Sequence, residues 1–295
     1  MQTPVRRVRL EEAEFPPGLR HLDPAPGALY VQGRLRPEDQ LAVAIVGARR
    51  ATPYGLQVAA RLARDLAGRG VTIVSGLARG IDGSAHRAAL EAGGRTVAVL
   101  GSGIDVIYPP EHGPLARAIA AAGAVLTELP PGAAPLPWHF PMRNRLIAAL
   151  ALGVVVVEAA ERSGALTTAS WAADLGREVM AVPGRVTSEL SRGTHRLIRD
   201  GATLVESADD VVAQLPARWA ERLRPAPVPA APAGGAGDPA ADVLLAALGD
   251  DAVAIDELVA RSGLPMARAA AVLLELELAG RVRQLAGLRY ARGPA

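Results

Sequence analysis

Leu41-Ala42-Val43-Ala44-Ile45-Val46-Gly47-Ala48-Arg49-Arg50-Ala51-Thr52-Pro53-Tyr54-Gly55 opens the regular part of a 295-residue chain. Six apolar residues in a row, with no polar alternation, describe a strand covered on both faces. Gly47 permits a tight turn, and an amphipathic stretch follows over 55–67. The same order recurs downstream. Short apolar runs at 71–74, 96–100, 124–127, 153–158 and 178–182 alternate with helical stretches at 82–91, 114–121 and 143–150. Such alternation predicts a mainly parallel sheet with helices on both sides, a doubly wound α/β domain over residues 41–215.

Working outward, residues 1–40 are interrupted by Pro16, Pro17, Pro24, Pro26 and Pro37 and read as an N-terminal lead-in segment. Residues 216–239 turn into a run of Pro, Ala and Gly with little to bury, a linker. Beyond it, over 240–295, helices are expected at 241–248, 254–261 and from Pro265 to 279, then a hairpin turned at Ala286-Gly287. Three helices and a two-stranded wing make a small C-terminal winged-helix domain.

Half of the residues are apolar, yet no run approaches the roughly 18 needed to cross a bilayer, so no membrane association is expected. There is no cysteine, and the arginines near Met1 are not followed by the apolar stretch of a signal peptide; a cytoplasmic protein is expected. The formal net charge is only +2, and all 32 basic residues are arginine. The total says little about partners. The positions of the arginines say more.

In a doubly wound sheet, ligands gather beyond the carboxyl ends of the strands, where helix N-termini offer N–H groups to anions. The turns at those ends are rich in glycine, hydroxyls and arginine. Gly47 and Arg49 follow the first strand. Ser75, Gly76, Arg79 and Gly80 follow the second, with Asp82 and His86 spaced i, i+4 as a hydrogen-bonded tether for the loop or, less simply, an acid and base. Gly101, Ser102 and Gly103 follow the third, with Asp105 either steadying the loop or accepting from a base or sugar. Trp138-His139-Phe140-Pro141-Met142-Arg143-Asn144-Arg145 sets Arg143 and Arg145 at a predicted helix start. There the dipole favours a phosphate, and Phe140 and Asn144 are candidates for base contacts. Ser163 and Gly164 are expected to make a further phosphate cradle, with an ordinary helix cap as the alternative. No nucleophile elbow, zinc motif, dinucleotide fingerprint or P-loop accompanies them, so no catalytic residue, metal or cofactor is expected. For one strand of nucleic acid to be gripped, Arg49, Arg143 and Arg145 have to share one surface.

Five ordered motifs resemble the DNA-processing protein A family, also called Smf or DprA: 75–82 with His86, 101–105 with Tyr108-Pro109, 140–145, 163–169 and 182–184. The resemblance covers about 41–212, and the C-terminal module is similar to the winged helix that many members carry. It implies an extended Rossmann-like domain that binds single-stranded DNA during natural transformation, dimerises, and helps load RecA recombinase. On this chain it implies phosphate contacts at Gly47 and Arg49, Ser75 and Gly76, Gly101 to Gly103, and Arg143 with Arg145. Thr52 stands where many members have Ser, and residues 1–40 are too short for the sterile-alpha-motif domain common in the family. The winged-helix segment 238–292 carries six arginines against eight acidic residues, a balance that favours protein contact over duplex recognition. A competing expectation is a phosphoribohydrolase-like enzyme on a related scaffold, with Glu158 as its carboxylate.

Overall fold

A computed structural model describes residues 4–225, 239–249, 251–278, 280–285 and 287–293. The chain divides into two compact units, Met1–Pro227 and Val228–Ala295. The first contains, in chain order, β1 (Val5–Arg9), β2 (Ala28–Gly33), β3 (Ala42–Val46), α1 (Pro53–Gly68), β4 (Thr72–Ser75), α2 (Ile81–Glu91), β5 (Thr96–Val99) and α3 (Gly113–Ala122). It continues through β6 (Ala124–Thr127), α4 (His139–Leu150), β7 (Gly153–Val156), α5 (Gly164–Asp174), β8 (Glu178–Ala181), α6 (Arg192–Arg199), β9 (Thr203–Leu204) and α7 (Ala208–Ala213).

The strands form one nine-stranded sheet in the order β1-β2-β6-β5-β4-β3-β7-β8-β9. From β6 to β9 every pairing is parallel, as the two-sided apolar runs require. β3 lies at the centre of this parallel part, and its residues alternate between two cores. Ala42, Ala44 and Val46 join Leu146, Ala148 and Ala169 on the α4–α5 side. Val43 and Ile45 join Leu62, Leu66 and Ala85 on the α1–α2 side. This two-residue period across a covered strand is what a doubly wound sheet demands.

Two boundaries differ from the sequence expectation. Residues 4–40 of the predicted lead-in are no lead-in: β1 pairs antiparallel with β2, and β2 antiparallel with β6, so they extend the sheet at its edge. Val8, Phe15, Leu19, Leu29 and Val31 are buried in the α4–α5-side core. The prolines that read as breakers lie in the connections rather than in the strands. The expected linker also starts later than residue 216. A short 3-10 helix, Ala217–Arg222, brings Trp219 into the α1–α2-side core. Residues 226–238 of the predicted linker lie outside the described residues.

The second unit is a winged helix by itself: α8 (Pro239–Ala247), β10 (Val253–Ala254), α9 (Ile255–Ser262), α10 (Met266–Leu278), β11 (Val282–Leu285) and β12 (Arg289–Arg292). Its sheet runs β10-β12-β11, and Leu244, Leu258, Val272, Leu273 and Tyr290 form its core. Gly263, at φ +67°, ends α9 in the left-handed conformation that glycine adopts without strain. Among the described residues, no helix is long and apolar enough to cross a membrane.

Candidate nucleic-acid interface

β3 is flanked by β4 on one side and β7 on the other, so the strand order reverses between β3 and β7. In such sheets the chain leaves the two strands in opposite directions and opens a crevice at their carboxyl ends. A cleft of about 300 Å³ lies there, lined by Gly47 and Arg49 after β3, Phe140, Arg143 and Asn144 of α4, and Ser163, Gly164 and Thr168 around the start of α5. The N-termini of α4 and α5 both open on it, adding the positive ends of two helix dipoles. Trp138 stands just before α4 and is 59% exposed, an aromatic surface open to a base.

The helix carrying the two predicted phosphate arginines begins at His139, four residues earlier than expected. Arg143 therefore lies a full turn inside α4. It is 5% exposed, and its guanidinium donates to Gly76 O at 2.8 Å, to Asn144 Oδ1 at 3.2 Å and to Val99 O. Its first duty is internal: it ties the carboxyl ends of β4 and β5 to α4. Burial pushes its pKa down to about 10, with Asp82 pulling the other way and the charge of Arg49 adding to the fall. Two residues along a helix turn by about 200°, so Arg145 leaves on the other side. It pairs with Glu128 at 2.5 Å and donates to Pro24 O at 3.3 Å, away from the cleft. Of the three arginines that had to share a surface, Arg49 and Arg143 do and Arg145 does not.

The glycine turns also serve the interior. A Cβ on Gly76 would lie 2.6 Å from the Arg143 guanidinium, and one on Gly101 would lie 2.9 Å from the Phe140 ring. Side chains larger than hydrogen would push both groups out, so these turns make room for α4 rather than for a ligand. Phe140 is held further by the Tyr108 ring, 5.7 Å away between centroids. Gly164 differs: a Cβ there would meet nothing within 4 Å, and the residue faces the cleft. Ser163 caps α5 by accepting from Ala165 N at 3.3 Å.

Several groups expected to meet phosphate are spent on the protein. Ser75 donates to Ile45 O at 2.6 Å and Ser102 to Val106 O at 2.6 Å, both buried. Gly103 N donates to Ala133 O at 2.8 Å. The N–H groups of Gly76 and Ala78 point at Asp82, 3.1 and 3.3 Å from Oδ2. Asp82 thus steadies its loop through the backbone. Burial raises its carboxyl above the ordinary range, against the pull of Arg143 and the two N–H donors. The expected Asp82–His86 tether is replaced by a hydrogen bond between His86 Nδ1 and Thr96 Oγ1 at 2.6 Å. Burial, reinforced by His112, pushes His86 down to about 3 and keeps it neutral. Asp105 accepts from Gly132 N at 2.7 Å and closes the loop after β5.

Glu158 has an unforeseen role. It is 4% exposed and accepts from Thr52 N at 2.9 Å and from Thr52 Oγ1 at 2.6 Å. The protein's own carboxylate thus occupies the N-terminus of α1, where a phosphate would sit in many doubly wound proteins. A carboxylate with both oxygens held in this way is poorly placed to serve as a base.

Arg49 is the group left for a ligand. It is exposed, it makes no ion pair among the described residues, and its guanidinium lies 5.1 Å from the Phe140 centroid while Arg143 lies 5.9 Å from the same ring. Two like charges beside one ring make this part of the cleft cationic. Arg79, by contrast, pairs with Glu111 at 2.5 Å on the surface. Arg50, Arg162, Arg185 and Arg192, in segments after β3, β7 and β8, are exposed and also lack carboxylate partners among the described residues. Sequence reading did not single out Arg162 as a ligand group, although it stands beside Ser163, which it did. Among the described residues no cluster of three or more His, Asp or Glu could hold a metal.

Fold and cleft together define a Rossmann-like α/β protein with a cationic crevice at its switch point and a winged helix appended. The chain belongs to the DprA/Smf family of DNA-processing proteins: residues 6–216 match DNA recombination-mediator protein A, and residues 225–287 match the DprA winged helix domain. It is 49% identical over 239 residues to a putative DNA processing protein DprA of Mycobacterium tuberculosis, covering 81% of this chain and 61% of that one. It is 40% identical to protein Smf of Escherichia coli, covering 97% of this chain and 78% of that one. Among solved structures, DprA from Streptococcus pneumoniae superposes with a TM-score of 0.68 at 42% identity, over 72% of this chain and 74% of that one. DprA from Helicobacter pylori, described for its single-stranded DNA binding mode, gives 0.63 at 31% identity, over 72% and 97%.

Proposed function

We propose that this protein binds single-stranded DNA in the carboxyl-end cleft without turning it over, and acts as a recombination mediator. The observation that carries this is the exposed Arg49 guanidinium, free of any ion pair among the described residues, beside Phe140 at the mouth of a cleft that holds a second guanidinium. Phosphate contact gives sequence-independent affinity, and a flexible unpaired strand can follow a narrow crevice that a stiff duplex cannot. The locked Glu158 and the neutral, buried His86 weigh against hydrolysis of a nucleotide here. The H. pylori relative's single-stranded DNA binding supports the same choice of ligand.

The strand contacts on this reading are Arg49 and Gly164, with Arg143 as the fixed charge beneath, Phe140 and Trp138 as the aromatic surface, and Arg50 and Arg162 along the rim. RecA is the proposed protein partner, natural transformation the process, the cytoplasm the compartment, and a homodimer the working form. Dimerisation would set two clefts on one strand and raise its effective affinity. The β8–β9 edge, where Leu204 is 45% exposed, is the proposed contact between copies. The winged unit is proposed to meet protein rather than duplex.

Fluorescence anisotropy of a labelled oligothymidine, measured across a salt series with a matched duplex as control, tests the central point. Binding that prefers the single strand and weakens with salt is expected. Equal affinity for both forms, or release of free base from a nucleotide, would reject it.

A further inference from the structure

At the opposite end of the same sheet, where the strands begin, lies a second cavity of about 460 Å³ that shares no lining residue with the cleft. It is bounded by the residues leading into β3, β7 and β8, by the segment between β1 and β2, and by the short helix that carries Trp219. Phe15, Val74, Val97, Leu152 and Leu175 give it an apolar floor. Its size and mostly apolar lining, with a few charged groups, are those of a small-molecule site.

The charges around it are unbalanced. Glu14 and Asp39 line the cavity, but each is already answered from elsewhere: Arg6 meets both oxygens of Glu14 at 2.7 Å, and Arg95 meets both oxygens of Asp39 at 2.8 Å. Arg36, Arg177 and Arg218 line it too, and none of them pairs with a carboxylate among the described residues. Burial, and then the like charge of Arg218, pull the Arg177 guanidinium below its ordinary pKa. Of the four buried side-chain polar atoms without a hydrogen-bond partner among the described residues, two belong to this wall: Arg177 Nε and Trp219 Nε1. Trp219 is 8% exposed, and both atoms are donors. A buried donor without an acceptor is costly, so the wall is short of acceptors as well as of negative charge.

We propose that this amino-end cavity binds an organic carboxylate with an apolar body. Its carboxylate lies between Arg177 and Arg218, and its hydrocarbon lies on the floor of Phe15, Leu152 and Leu175. An inorganic anion would leave the floor unfilled, and a neutral hydrocarbon would leave the charges of Arg177 and Arg218 without a counter-ion. This site does not depend on the DNA-binding reading of the cleft.

Calorimetric titration of the full chain with 1-naphthoate tests the proposal, with naphthalene-1-carboxamide and inorganic phosphate titrated in parallel. Saturable naphthoate binding at a single site is expected, with the carboxamide and phosphate each at least about tenfold weaker. Arg177→Met with Arg218→Met should weaken naphthoate by a similar factor. Ala13→Trp, which fills the mouth from an exposed position without touching the core, should abolish it. Thermal melting and oligothymidine binding of both variants report that the rest of the protein is intact. No saturable naphthoate binding to the unaltered chain, equal binding of the carboxamide or phosphate, or unchanged binding in the Ala13→Trp variant would overturn the proposal.

Discussion

Around the carboxyl-end cleft the exposed side chains include arginines without carboxylate partners among the described residues, Arg49, Arg50 and Arg162, set among glycines and helix N-termini. On α10 of the winged unit, the helix that reads the major groove in many DNA-binding winged helices, they are Met266, Ala267, Ala270, Ala271 and Leu274, with Glu275 beside them and Arg268 the one basic residue. Met266 and Leu274 are 43% and 57% exposed. On the proposed reading, the first surface suits a polyanion and the second another apolar surface. On that reading, a winged-helix fold does not by itself mark where nucleic acid binds. The chemistry of the exposed face does.

The sharpest way to break this contrast begins inside the cleft. Arg143→Ala removes the donors from Gly76 O and Val99 O and leaves both carbonyls short of a partner, so denaturant unfolding should show a loss of about 3 kcal/mol. A loss below about 1 kcal/mol would mean that the guanidinium is a ligand group first and a structural one second. His86 supplies the next test. Its folded pKa, about 3, lies below its unfolded value of 6.5, so the unfolded chain binds the extra proton between those pH values. Its contribution to stability is complete above pH 6.5 and is lost as the pH falls toward 3. The slope is at most about 1.4 kcal/mol per pH unit. Asp82, raised by burial, works in the opposite sense at acid pH, so the histidine is isolated by comparison with His86→Gln, whose slope should be shallower.

A smaller effect separates two of the arginines that the sequence placed on one surface. Arg49→Ala should weaken oligothymidine binding about fivefold and reduce the salt slope by about 0.7, with melting unchanged. Arg145→Ala, facing Glu128 on the other side of α4, should leave affinity within about twofold. If Arg145 matters more than Arg49, the strand runs along a different face. The smallest expected change tests the winged unit directly. A chain ending at Pro227 should bind oligothymidine within about twofold of the full chain, and a loss of about tenfold would make α10 a nucleic-acid surface after all.

Much of the fold was legible because a buried parallel strand leaves a one-dimensional trace. Residues 41–46 and 153–158 read as covered strands, and β3 and β7 lie within them. The three helices and wing of the second unit were legible for the same reason, from periodicity and from Gly263, Pro265 and Gly287. β1 and β2 were not. Their strands carry Arg6, Arg7, Arg9 and Gln32, and the prolines around them mask the burial of Leu29 and Val31. The start of α4 was missed because Pro141 reads as a breaker, whereas a proline in the first turn of a helix loses no hydrogen bond. Once the helix is extended to His139, the opposite directions of Arg143 and Arg145 follow from arithmetic on the sequence alone.

The order of apolar runs, turns and caps determined by itself that this chain folds as a doubly wound sheet followed by a winged helix, because period and punctuation act locally along the backbone. Which arginines face solvent, which carboxylate fills the end of α1 and which glycines yield to Phe140 and Arg143 were decided only in three dimensions. Those outcomes depend on partners far away in the chain, such as Glu158 with Thr52 and Arg143 with Gly76. A charge is free or spent according to what the fold brings beside it, and no local pattern records that.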